Sequence, residues 1–252
     1  MPTDPWFYAA AVPAVLIFGI AKGGFGGSLG VLGVPIMSLV MSPVQAAAIL
    51  LPILCLMDLL GLAAYRGKWV MADVRVLIPS AFVGITIGAV LYGILTVGHV
   101  KLIVGITALL FSLHYWFFDR HRRLDERSDA SYVGAVTSGM SAGFTSFVAH
   151  AGGPPLNMYM LRRNLDRTAY VATTVIFFTA VNYAKLIPYG WLGQLSTDNL
   201  VASLVLAPLA PIGIAIGYWL HRRVSDRFFF RFAYVLLFLV SLKLISDGIS
   251  GP

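Results

Sequence analysis

Five ionisable side chains stand inside long apolar stretches of this chain: Lys22, Asp58, His114, His150 and Lys185. Lys243 lies nearer the end of another such stretch. Charge is costly in such surroundings, so each is a functional candidate. Lys22 directly precedes the glycine run that holds Gly24, Gly26, Gly27 and Ser28, and His150 precedes Gly152 and Gly153. Lys185 follows Asn182 by three positions, which makes the two neighbours on a helix surface. Thr174 is eleven positions before Lys185, close to three helical turns, so it shares that stripe, with Thr173 beside it. A cation, an amide and hydroxyls on one side of a helix suit an oxyanion. Backbone N–H groups freed where a helix restarts after glycine also favour an anion, and glycine lets it approach the main chain.

The candidate anion-binding residues are therefore Lys22, Gly24, Gly26, Gly27, Ser28, His150, Gly152, Gly153, Thr173, Thr174, Asn182 and Lys185. Structural alternatives stand beside them. The glycines could serve only tight helix crossings, the threonines could bond back to their own helix, and Lys185 could reach for the outer surface. Asp58 and His150 are the candidates for carrying a proton. Asp58 is the one acid inside a full span, and imidazole titrates near neutral pH. A plain ion pair with Lys22 or Lys185 is the alternative for Asp58. His114, beside Tyr115 and Trp116, reads as an interfacial residue.

These residues need a membrane scaffold. With 58% hydrophobic and 12% charged residues and a mean hydropathy of +0.83, the chain is not a soluble domain. Several apolar runs approach the ~20 residues that cross a bilayer. The spacing predicts segments at Trp6 to Met41 (interrupted), Pro43 to Ala64, Val76 to Thr96 and Val100 to Phe118. A second set follows at Tyr132 to Leu161 (interrupted), Thr168 to Pro188, Asn199 to Leu220 and Phe228 to Ser246. A polar run from Asp119 to Asp129 divides them. The single cysteine, Cys55, excludes an intrachain disulfide and a cysteine metal cage. No basic leader or small-residue cleavage site opens the chain, so the first apolar segment is expected to persist.

The two sets are similar. A shift of 120 superposes Gly19 on Gly139, Gly23 on Gly143, Gly33 on Gly153 and Pro35 on Pro155. A shift of 129 superposes Pro79 on Pro208, Gly84 on Gly213 and Gly88 on Gly217, with seven identities in thirteen positions. The last two pairs form G-x-x-x-G faces, which allow close helix packing. Paired interruptions in corresponding halves point to a transporter's binding site.

All thirteen arginines fall in four places: 66 and 75; 120 to 127; 162 to 167; and 222 to 231. Arginine collects on the cytoplasmic side, so both broken segments must enter and return as hairpins, from opposite faces. The formal charge of +7 is a matter of topology, not of nucleic-acid binding. The expected fold is an all-α polytopic membrane protein with an inverted-topology repeat. Each half is a broken re-entrant hairpin plus three transmembrane helices. Residues 1–252 form a single transport domain, with 6–118 as first repeat and 131–250 as second.

The tip ending in Gly33-Val34-Pro35, its counterpart Gly152-Gly153-Pro154-Pro155 and the following Ala172-Thr173-Thr174 resemble the sulfite exporter TauE/SafE family, also called 4-toluene sulfonate uptake permeases. The resemblance covers nearly the whole chain. It implies secondary transport of sulfur-containing oxyanions, such as sulfite or sulfonates like sulfoacetate, across the bacterial inner membrane. No cofactor is expected. The expected partners are a small sulfur-containing anion and membrane lipid; a homodimer stays open, and nucleic acid is excluded. No H-E-x-x-H motif, P-loop or two-metal carboxylate cluster is present, so an enzyme is not expected. A channel for the same anions and a membrane-embedded enzyme or assembly subunit are the alternatives.

Overall fold

The computed structural model describes residues 4–24, 28–92, 94–117, 131–163, 165–221, 223 and 226–250, and their regular structure is helical throughout. In chain order come α1 (Pro5–Gly24), a 3-10 segment (Ser28–Leu32), α2 (Gly33–Met37), α3 (Pro43–Tyr65), α4 (Met71–Tyr92) and α5 (Val97–Phe117). Then follow α6 (Tyr132–Ala149), α7 (Gly153–Met160), α8 (Arg167–Trp191), α9 (Thr197–Leu206), α10 (Leu209–His221) and α11 (Asp226–Ile249). Helices α1, α3, α4, α5 and α8 are each long and apolar enough to cross a membrane, and α9 with α10 makes a sixth if the bent pair forms one span. The protein is a polytopic membrane protein.

Helix starts are fixed by side-chain caps at the ends of spans. Ser42 accepts from the Gln45 N–H, Ser131 from Gly134, Asp166 from Thr168 and Ala169, and Ser196 from Asn199. Each cap satisfies donors that a helix leaves open, worth about 1 kcal/mol.

Both interrupted segments break where the glycine runs place the breaks, and both arms pack together. Helix α6 stops at His150, which takes a left-handed conformation with φ 50°. The turn is closed from both sides: Ala151 N–H donates to the Thr145 carbonyl at 3.1 Å, and Thr145 Oγ1 donates to the Ala151 carbonyl at 3.0 Å. Helix α7 then starts at Gly153 and returns until Tyr159 stands beside Gly134 at the beginning of α6. The first segment is less even. Its leading arm α1 has 20 residues, long enough for a ~30 Å bilayer core, whereas the return is a 3-10 turn and a five-residue helix.

The expectation of one unbroken span from Asn199 to Leu220 is corrected. The chain bends by 42° between α9 and α10. Pro208, followed by Pro211, removes N–H donors and crowds the preceding turn. Pro79, the position matched to Pro208, lies inside a continuous α4.

Two helix pairs meet at backbone contact. Gly19 and Gly23 of α1 lie against Gly213 and Ile214 of α10, and Gly217 lies against Ile20; Gly139 and Gly143 of α6 lie against α4, which brings Gly84 to the Met140 carbonyl. A methyl group on Gly23 would fall 2.2 Å from the Ile214 carbonyl oxygen, and one on Gly143 would fall 2.1 Å from that of Ala81. For these glycines the packing alternative is the observed role. α5 packs against α11, and α3 against α8.

Two of the arginine-bearing connections meet at one end. Arg163 Nε donates to Asp73 Oδ2 at 3.1 Å, and Tyr159 Oη donates to Asp73 Oδ1 at 2.7 Å, so the 66–75 and 162–167 connections touch. The Val70 N–H also bonds to Thr173 Oγ1 at the start of α8. The arginine-free connections meet at the opposite end, where Gln45 Nε2 donates to Asn199 Oδ1 and Asn199 Nδ2 to the Gln194 carbonyl. The 120–127 cluster, Arg222 and the dividing run lie outside the described residues.

Candidate functional site

A cavity of about 510 Å³ lies between α1, α3, α8 and α10. It reaches Tyr65 at the end of α3, Val171 in the first turns of α8 and Tyr218 near the end of α10, all on the arginine-bearing side. Its walls are mainly apolar, with Met57, Leu60, Val175, Phe178 and Ile214 among them. The exceptions at its inner limit are Lys22, Asp58 and Thr174.

Lys22 sits in the last turn of α1, which brings its ammonium to α3, where it pairs with Asp58 Oδ1. The other carboxylate oxygen, Oδ2, accepts from Asn182 Nδ2 of α8 at 2.6 Å. Asp58 is 2% exposed, while the Lys22 side chain is 17% exposed. The carboxylate is therefore held by three helices, and the ammonium keeps a face towards the cavity.

A second, separate space of about 20 Å³ shares Lys22 and Phe178 with the first and is otherwise bounded by Phe18, Leu54, Ser146, His150, Gly153 and Asn182. Residues of both hairpin tips, Lys22 and His150, thus border one small space.

Lys185 does not reach either space. It is 0% exposed, and its ammonium faces three acceptors: the Ser146 carbonyl at 3.0 Å, Ser146 Oγ at 2.9 Å and His150 Nδ1 at 2.7 Å. An ammonium has three donors, so all are engaged. His150 Nε2 lies 2.9 Å from the Ala47 carbonyl of α3. A carbonyl oxygen only accepts, so Nε2 carries the ring proton and Nδ1 accepts from Lys185. Tyr189, one turn after Lys185, donates to the Phe147 carbonyl at 2.7 Å. Together these groups of α8 clamp the second tip.

The structure thus divides the candidates. Lys22, Asp58 and Thr174 face the large cavity; His150, Gly153, Asn182 and again Lys22 border the small one. Thr173 is fully buried against the α3–α4 connection, and Thr174 Oγ1 donates back to the Tyr170 carbonyl. Gly152 packs on Ala142 and Ser146. Gly24 is the last residue of α1 and Ser28 the first of the 3-10 segment; Gly26 and Gly27 lie outside the described residues. Sequence reasoning missed Ser146, although its position one turn before His150 offered a signal. It also missed Asp73, which as a lone acid at a helix start reads as a solvated residue.

A family model described as Sulfite exporter TauE/SafE matches residues 11–244. No curated protein and no solved structure matches the chain. With all but its two ends matched, and with the helical architecture described above, the chain belongs to the sulfite exporter TauE/SafE family of membrane transporters for sulfite and related sulfur anions.

Proposed function

We propose that this protein is a secondary carrier in the bacterial inner membrane that moves a sulfur-containing oxyanion, such as sulfite or a sulfonate of the sulfoacetate kind, past Lys22. The observation that carries this reading is the ammonium of Lys22 in the wall of a mainly apolar cavity whose lining reaches towards the arginine-bearing end. A cation in an apolar-walled space attracts an anion strongly, because little water screens it. On the side of the second tip Lys22 borders a space of only about 20 Å³, which favours alternating access over an open channel. The arginine-bearing end is the cytoplasmic one, so this is the inward-facing arrangement.

Residues 1–252 act as one transport domain built from inverted halves, 6–118 and 131–250. The exchanged glycine contacts support that reading: each hairpin's leading arm packs on the G-x-x-x-G helix of the other half. Asn182, Thr174 and the Gly153 terminus complete the anion's surroundings as the tips move. The outer clamp of Lys185, Ser146 and His150 positions the second tip.

The test is anion binding by purified protein, using sulfite, benzenesulfonate, isethionate and sulfate, with Lys22→Met as the decisive variant. A charge-assisted contact is worth about 1.5–3 kcal/mol, so affinity should fall roughly 10- to 150-fold while the protein stays folded. Undiminished affinity in Lys22→Met would remove Lys22 from the site. Counterflow in proteoliposomes separates carrier from channel.

A further inference from the structure

We infer that Asp58 takes up a proton when the anion engages Lys22, so that anion and proton move together. This rests on the reading that the anion binds at Lys22. Lys22 and Asp58 form a neutral unit: one ammonium and one carboxylate in contact. An anion arriving at Lys22 leaves a net negative charge among mainly apolar walls. Two negative groups sharing one cation in such surroundings disfavour joint ionisation.

The geometry fixes where the proton goes. Asn182 Nδ2 continues to hold Oδ2 at 2.6 Å, so the oxygen that loses its partner, Oδ1, receives the proton. The proton comes from the aqueous phase through the cavity, and no bond other than Oδ1–H forms. On release the anion leaves Lys22, the proton leaves Asp58, and the ion pair closes again.

The other titratable groups around Asp58 do not serve. Lys185 from α8 has all three donors accepted. His150, at the end of α6, has both ring nitrogens engaged. Tyr218 of α10 and Tyr183 of α8 are phenols, and Cys55 on α3 itself is a buried thiol, so none of them supplies a second carboxylate to share Lys22. Among the described residues, the Lys22–Asp58 contact is the one that joins a cavity-facing cation to a carboxylate.

The coupling has an energetic purpose. A lone monoanion crossing a polarised membrane works against or with ~2.3 kcal/mol per 100 mV; an anion with a proton crosses without net charge.

The experiment uses the full chain in detergent, weakly buffered, with a pH indicator. Benzenesulfonate, isethionate and sulfate are the probes, because their charge is constant near neutral pH. The parent should take up about one proton per anion bound, and its affinity should fall by up to about tenfold per pH unit as pH rises. Asp58→Asn should take up none, bind with flat pH dependence, and bind more tightly than the parent at alkaline pH. Should that variant fail to fold, the parent's own stoichiometry decides. Anion binding without proton uptake overturns the coupling and leaves Lys22 as the anion site. Proton uptake surviving in Asp58→Asn overturns it as well. Binding of none of the three probes overturns both this inference and the reading beneath it.

Discussion

Replacing Lys185 by methionine separates a clamp from a ligand. Methionine keeps most of the stem's volume and removes the ammonium, which in the parent meets the Ser146 carbonyl, Ser146 Oγ and His150 Nδ1. The Ser146 carbonyl keeps its backbone partner, the His150 N–H, at 3.0 Å. Ser146 Oγ can rotate to another acceptor, so its loss is small. His150 Nδ1 is left without a donor in a buried position, which costs about 1–3 kcal/mol. Loss of the charge-assisted contacts adds to this, and relief from burying a charge subtracts. A net loss of about 2–3 kcal/mol follows.

At about 2–4 °C per kcal/mol for a chain of this size, the unfolding midpoint should drop by roughly 5–10 °C at a fixed scan rate. The same substitution in a His150→Asn background should cost less, because the orphaned nitrogen is gone; a coupling of about 1–2 kcal/mol is expected. The parent and both variants should be compared for isethionate affinity in the same preparation. Unchanged thermal stability together with lost anion affinity would refute the clamp and restore Lys185 as a direct ligand.

Two further outcomes are expected. Gly143→Ala and Gly23→Ala place a methyl group against main-chain oxygen and should each lower stability by about 1–3 kcal/mol; a thermal scan matching the parent would show that the helices can part at no cost. With Cys55 replaced, a cysteine at Arg163 should be labelled only from the cytoplasm and one at Gln194 only from outside, and the reverse pattern would invert the assigned orientation.

The breaks at the two tips were legible because glycine and proline act locally: Gly153 starts α7 where the spacing put it. The Lys22–Asp58 pair was legible as a possibility, since few charges lay in apolar stretches and they had to meet something. The roles of Thr173 and Lys185 were not legible. A helical stripe places Thr174, Asn182 and Lys185 on one side of α8, but α8 passes three neighbours along its length. Its first turns meet the α3–α4 connection at Thr173, its middle meets Asp58 at Asn182, and its far part meets α6 at Lys185. One stripe therefore serves three different contacts, and periodicity cannot say which neighbour lies at each level. The bend at Pro208 was hidden for a related reason. Pro79 occupies the matching position without breaking its helix, so proline alone does not set the outcome.

The exchanged glycine seams also impose an order on biosynthesis. Helix α6 can close on α4 as soon as both have entered the membrane, but α1 must wait for α10. Their contact glycines are about 190 residues apart, which at ~5–20 residues per second is a delay of about 10–40 s. During that interval the small-residue face of α1 is unclaimed in the bilayer, open to the wrong helix or to another nascent chain. Substitutions that slow translation of the second half, or that delay insertion of the kinked α9–α10 segment, should therefore reduce yield more than they reduce the stability of the finished protein.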